Sequence, residues 1–167
     1  LASHARYDIR RMLSGQVTAE DWTVLQLAAG DLQSQTILID DSPELTMAQI
    51  RAKARRLKLQ HDIQCVLIDY IQLIRPSGRA ENRQVQVSEM SRGIKAMARE
   101  LEIPVITAAQ LNRGPTDRPV HRPRMSDLRE SGAIEQDADV VMLLHREDYY
   151  HENEEGYSPT GITELIV

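Results

Sequence analysis

The chain has 167 residues, of which 41% are hydrophobic and 27% charged, and a formal net charge of −5. That length allows one domain with a core of its own, and the acidic balance excludes a protein that coats nucleic acid with its whole surface. No apolar run approaches the roughly 18 residues of a spanning helix and no basic-then-apolar leader opens the sequence, so the expected location is a reducing cytoplasm, where the single Cys65 reads as a small core residue.

Residues 1–35 read as helical. Leu1 to Leu13 ends at Ser14-Gly15, and Thr18 with Asp21 opens a second segment through Trp22, Leu25 and Ala29 to Gly30, with a glycine suited to the left-handed cap at each end. Thr36-Ile37-Leu38-Ile39 predicts a short strand running into Asp40-Asp41. Thr46 and Gln49 stand at capping-box spacing, and Met47, Ile50, Ala54 and Leu57 then recur at helical intervals opposite a face of arginines and lysines. Cys65 to Asp69 predicts a strand buried on both faces, followed by a turn through Pro76, Ser77 and Gly78. A longer helix begins near Asn82, and its stripe Val87, Met90, Ile94, Met97 and Leu101 is core. Pro104 to Ala109, Val140 to Leu144 and Gly161 to Val167 complete the predicted strands. Strands alternating with helices in this order predict an α/β fold over 36–167, with a largely parallel sheet flanked by helices.

Chemistry concentrates where strands end. In open α/β sheets ligands bind beyond the carboxyl ends of the strands, so Asp69, at the end of an apolar run, stands where a Walker B aspartate supports Mg²⁺ through a retained water. The same run also reads simply as a strand entering a turn. Gln110 follows the third strand directly and emerges on the edge of Asp69 if the two strands are parallel neighbours; its amide can both donate and accept. From Arg113 to Arg129 five arginines stand against Asp117 and Asp127, either a phosphate-binding segment or a solvated loop. Gly132 removes a side chain where the backbone turns into a short helical piece, which exposes N–H groups to phosphate or serves the turn alone. His145 and His151 flank Glu147 and Asp148 without a metal-ligand spacing and read as part of a solvated loop.

The words Leu-Ile-Asp-Tyr-Ile-Gln-Leu (67–73), Ala-Gln-Leu-Asn-Arg (109–113) and Ser-Asp-Leu-Arg-Glu-Ser-Gly-Ala-Ile-Glu-Gln-Asp-Ala-Asp (126–139), in this order, closely resemble the DnaB family of bacterial replicative DNA helicases. Leu1-Ala2-Ser3, Asp40-Asp41 and Tyr150-His151-Glu152-Asn153 resemble it as well, so the likeness extends over essentially the whole chain. It implies a RecA-like P-loop NTPase core that uses ATP and Mg²⁺, assembles as a homo-hexamer around single-stranded DNA, and works with a primase and a helicase loader in a bacterial or phage-infected cytoplasm. By the same resemblance Asp69 matches the Walker B aspartate and metal-supporting residue, and Gln110 the glutamine at the γ-phosphate. Arg129, Glu130 and Gly132 match the channel loop that grips DNA, with Glu130 expected to contribute its backbone N–H. Arg113 falls in the similar, more variable pore-facing segment from Asn112 to Arg124.

The chain departs from the family pattern in lacking any Gly-x-x-x-x-Gly-Lys-Thr loop, and Tyr70 rather than a glutamate follows Asp69. The expectation is therefore a partial motor domain, cut at both ends, that does not hydrolyse ATP by itself. Two other readings stay open: a non-hydrolysing DNA-binding or ring-assembly subunit, and another RecA-like ATPase of recombination or of a clock.

Overall fold

The helices begin where side chains satisfy their first free N–H groups. In the computed structural model, which describes residues 1–76, 78, 82–112, 114–118, 120–151 and 156–167 with backbone alone at 129–131, the contacts divide the chain into two units, Leu1–Asp41 and Ser42–Val167. Ser77, at the centre of the predicted turn, lies outside the described residues.

In the first unit Asp8 caps α1 (Ile9–Leu13), and Thr18 and Asp21 form a reciprocal capping box at α2 (Ala19–Gln33). Such a cap contributes about 1 kcal/mol. The Asp21 carboxylate also accepts the Tyr7 hydroxyl at 3.0 Å, tying the entry of α1 to the first turn of α2. Helix α1 is shorter than expected: turns occupy the residues before Tyr7, and only the exit at Gly15, with φ +73°, follows the expected left-handed stop. Helix α2 runs past the predicted end at Gly30, because a lone glycine costs a helix only about 1 kcal/mol, and stops at Ser34, whose hydroxyl donates to Asp31 O at 2.7 Å. The segment 36–39 is not a strand. Its residues are exposed and, among the described residues, no strand edge pairs with it, and an apolar run becomes a strand only where a neighbour takes its backbone hydrogen bonds.

In the second unit Thr46 and Gln49 form the expected capping box of α3 (Met47–His61), which ends on Asp62 in the left-handed region. The stripe Val87, Met90, Ile94, Met97 and Leu101 of α4 (Arg83–Leu101) is buried throughout. Helices α3 and α4 approach closely at Gly93, where an added Cβ would stand 2.5 Å from Met47 Cγ. Glu100 of α4 receives both Arg51 and Arg55 of α3 at the surface of this contact. Strands β1 (Val66–Ile68) and β2 (Val105–Thr107) pair in parallel, with Val66 opposite Val105 and Ile68 opposite Thr107. Val66, Ile68 and Val105 pack on the helices, while Leu67 and Ile106 point the other way and are exposed, the alternation that a sheet covered on one side requires. Cys65, just before β1, is half-buried.

The remaining strands do not extend this ladder. β3 (Leu143–His145) and β4 (Glu164–Ile166) form a separate antiparallel pair, with Leu144 opposite Leu165. The expected largely parallel arrangement is thus limited, among the described residues, to β1 and β2. Among the described residues no crossover helix joins β3 to β4, and parallel neighbours need one. A groove of about 940 Å³, lined by Val105, Ile106 and Thr107 on one side and by Val140, Met142 and Leu144 on the other, borders both sheets.

Because Met97 is wholly buried, Met97→Ala is expected to destabilise the protein by about 2–5 kcal/mol in a urea titration. Leu59→Ala, at a side chain that is 83% exposed, should cost less than about 0.5 kcal/mol. Equal losses at the two positions would remove the α4 stripe from the core.

Candidate functional site

The parallel register brings two chain ends together. Beyond Ile68 and Thr107 the pairing continues as Ala108 N–H donates to Ile68 O at 2.9 Å and Ile71 N–H donates to Ala108 O at 3.0 Å. Asp69 and Gln110 therefore leave the same edge of the sheet, as expected for parallel neighbours, and both are exposed. The Asp69 carboxylate has no hydrogen bond or ion pair among the described residues, which leaves its charge open to solvent or a ligand. The Asp69–Tyr70 peptide bond is cis.

After Asp69 the chain makes a short 3-10 turn, Ile71–Leu73, anchored by the fully buried Ile71. This turn carries Gln72, which sequence reasoning passed over. Its Nε2 donates to Gln110 O at 3.4 Å and its Oε1 accepts Gln110 N–H at 3.3 Å. Arg83, the first residue of α4, donates to Gln72 O at 2.7 Å. Gln72, Arg83, Gln110, Asn112 and Asp127 line a small pocket of about 80 Å³.

The arginine-rich segment is folded on itself rather than freely solvated. Asp127, 4% exposed, accepts Arg118 Nη1 at 3.1 Å and Nη2 at 2.7 Å, together with Arg124 N–H at 2.8 Å. The two-pronged geometry matches a guanidinium to a carboxylate. Arg118 also donates to Arg122 O at 3.0 Å, and Asn112 N–H donates to the Asp127 backbone O at 3.0 Å, so Asp127 closes the loop from Asn112 with its carbonyl and braces it inside with its carboxylate. Gly114 fits inside it because an added Cβ would lie 2.8 Å from Asn112 Oδ1 and 2.9 Å from Asp127 Oδ1. Arg122 pairs with Glu164 at 2.9 Å. Burial pushes the Asp127 carboxyl up, but the Arg118 guanidinium and the Arg124 N–H outweigh it and hold the carboxyl below the usual range.

Arg113 and the side chains of Arg129 and Glu130 lie outside the described residues. Their backbone belongs to the 3-10 turn Met125–Ser131 at 129 and 130, which leads into α5 (Gly132–Asp137). Gly132 has φ −52°, not a left-handed conformation, and an added Cβ would meet nothing within 4 Å. Its lack of a side chain leaves open space over the backbone rather than serving a strained turn. Behind it, Ile134 packs with Ile71, Val87 and Ile94, joining the base of this turn to the core under Asp69.

The stretch from His145 to Gly161 is also knitted together. Asp148 is buried and accepts Tyr157 Oη at 2.9 Å, Thr160 N–H at 2.9 Å, Thr160 Oγ1 at 3.1 Å and Gly161 N–H at 2.8 Å. The Thr160 N–H above all, with the other donors, holds its carboxyl far below the usual range despite burial. Glu147 bridges His145 Nε2 at 2.9 Å and His151 Nε2 at 3.1 Å, so this cluster is not the solvated loop that the sequence predicts. A 3-10 turn at Glu147–Tyr149 carries Asp148 inward and leaves Glu147 at the surface between the two histidines. No group of three or more candidate metal ligands occurs among the described residues, and no helix among them is long and apolar enough to cross a membrane.

The depressed Asp127 and Asp148 carboxyls set a pH dependence. A carboxyl lower in the folded than in the unfolded state stabilises fully above its unfolded value, near 3.9, and loses that contribution as pH falls through the folded value. Thermal melts should therefore be steady from about pH 7 to 5 and fall steeply below about 4. Asp148→Asn should lower the midpoint at neutral pH and flatten that acid limb; an unchanged acid limb would contradict the assignment.

The DnaB-like helicase C-terminal domain family matches residues 1–167. The replicative DNA helicase DnaB of Geobacillus stearothermophilus is 48% identical over 168 residues, which span 100% of this chain and 36% of that protein. The replicative DNA helicase DnaB of Mycobacterium leprae is 49% identical over 150 residues, 90% of this chain and 25% of that protein. The chain thus spans between 25% and 36% of the length of these relatives. A solved structure of an ATPase domain has a TM-score of 0.86 at 36% identity, over 98% of this chain and 58% of that one. A DnaB-like replicative helicase, solved in a study of its interactions with primase, gives 0.88 at 36% identity, over 98% of this chain and 40% of that one. Such similarity carries the RecA-like fold of these ATPase domains, and with a match along its entire length this chain belongs to the DnaB-like helicase C-terminal domain family.

Proposed function

We propose that this chain is the core of a replicative helicase motor whose full-length form hydrolyses ATP, translocates on single-stranded DNA and unwinds duplex at the replication fork. The observation that carries this reading is the shared sheet edge: Asp69 and Gln110 leave it side by side, and Gln110 runs directly into the segment that ends at Gly132. A group that meets nucleotide and a group that meets DNA are then separated by one short, internally braced stretch of chain.

In this reading the exposed Asp69, unpaired among the described residues, would hold Mg²⁺, which when bound would supply charge neutralisation at phosphate oxygens. An exposed carboxylate at a strand end suits a hydrated cation that keeps most of its waters. Gln110 offers its amide to the γ-phosphate region of ATP. Arg113 and Arg129 carry charge to DNA phosphates, while Glu130 and Gly132 offer backbone N–H groups, for which the open space at Gly132 gives access. Contacts of this kind hold the backbone without reading sequence, as a translocating motor requires.

The sheet of the full-length protein is read as largely parallel. Supporting this, β2 and β3 each have an unpaired edge among the described residues, both border the apolar groove, and Asp137 Oδ2 on its wall is buried without a partner. A further strand would pair those edges. In the same reading the full-length protein forms a homo-hexameric ring and works with a primase and a helicase loader in a bacterial cytoplasm; the solved relative studied with a primase supports the primase.

The test is Asp69→Asn in the full-length protein, which keeps size and removes charge. Mg²⁺-dependent ATP turnover is expected to fall at least about 10-fold while the thermal midpoint stays within a few degrees. Turnover equal to that of the unsubstituted protein would reduce Asp69 to a strand-end residue.

A further inference from the structure

We propose that Gln72 is a positioning residue that couples the Asp69 edge to the DNA-facing segment, by holding the backbone of Gln110 through both hydrogen bonds of its side-chain amide. This deepens the motor reading and rests on it. The ladder between β1 and β2 makes its last bonds at Ala108, so Gln110 lies beyond the reach of the sheet. What holds it is the Gln72 amide, whose Nε2 donates to Gln110 O at 3.4 Å and whose Oε1 accepts Gln110 N–H at 3.3 Å. A primary amide can make this paired contact because it carries a donor and an acceptor side by side.

The two ends of the contact belong to different functional elements. Gln72 sits three residues after Asp69, on a turn fixed by the buried Ile71 and by Arg83 donating to Gln72 O at 2.7 Å. Two residues after Gln110, Asn112 N–H donates to Asp127 O, and Asp127 closes the arginine-rich loop through Arg118. A displacement of the 112–131 stretch therefore pulls on the Gln110 backbone, and the resisting contact is the Gln72 amide. Both hydrogen bonds are long and the site is partly exposed, so the contact can be made and broken as a switch element must be.

The experiment measures steady-state ATP turnover of the full-length protein with and without saturating oligothymidylate, for the unsubstituted chain, Gln72→Met and Gln72→Glu. Methionine keeps the length and loses both hydrogen bonds; glutamate keeps an acceptor for Gln110 N–H but presents no donor to Gln110 O. The readout is the ratio of the two rates, because a merely structural role lowers both together and leaves the ratio alone. The ratio is expected to fall by about 3- to 10-fold in Gln72→Met, the span of one or two ordinary hydrogen bonds, and by at least as much in Gln72→Glu, whose carboxylate oxygen faces the Gln110 carbonyl. A ratio unchanged in Gln72→Met overturns the proposal alone. An unsubstituted protein whose turnover does not respond to DNA overturns the motor reading and this proposal with it.

Discussion

The parallel register of β1 against β2 is the constraint on which the rest depends. With Ile68 opposite Thr107, Val66, Ile68 and Val105 face the helices and Asp69 and Gln110 leave on one edge. A slip of β1 by one residue would turn Leu67 inward and Val66 and Ile68 outward, so the helical core enforces the register that the site needs. Ile71 and Met97, both fully buried, belong to the two core clusters that pack on Ile68 and Val105: one anchors the turn after Asp69, the other carries the sheet on α4. Packing and chemistry are thus set by the same few contacts.

Electrostatics then shape what leaves the sheet. A segment with five arginines would be expected to stay extended through self-repulsion, but Asp127 takes Arg118 in a two-pronged pair and Glu164 takes Arg122. Those two cations serve the loop's own shape. Asp148 does the same for the stretch before β4, collecting Tyr157, Thr160 and Gly161 around one buried carboxylate. Both clasps need ionised carboxyls, so the loops around the site lose stability in acid.

Local signals were readable in the sequence and non-local pairings were not. The α4 stripe, the Thr18/Asp21 and Thr46/Gln49 caps and the strands at 66–68 and 105–107 all follow from periodicity or spacing within a few residues. Thr36–Ile39 has the composition of a strand but lacks a described partner, and the antiparallel pairing of β3 with β4 depends on a loop whose path is set by Asp148. At the site, Asp69 and Gln110 were legible as strand ends. Gln72 and the Arg118–Asp127 pair were not, although both lie in or beside the most informative words of the sequence, because side-chain contacts across 38 residues in the first case and nine in the second, within an irregular loop, leave no period to read. Gly132 was legible as the point where the chain turns into a short helix, and it begins α5 with φ −52°.

The central claim is that nucleotide state at the Asp69 and Gln110 edge and DNA grip at 112–132 are one coupled equilibrium. Coupling of binding is reciprocal, so a nucleotide that tightens DNA must itself be tightened by DNA to the same degree. The direct measurement is fluorescence titration of the full-length protein with labelled oligothymidylate, in Mg²⁺ with a non-hydrolysable ATP analogue or with ADP, paired with titration of each nucleotide in the presence and absence of DNA. The account predicts that DNA affinity differs between the two nucleotides by at least about 5-fold, with a matching factor in the reverse titration. Equal DNA affinity in both nucleotide states would contradict it.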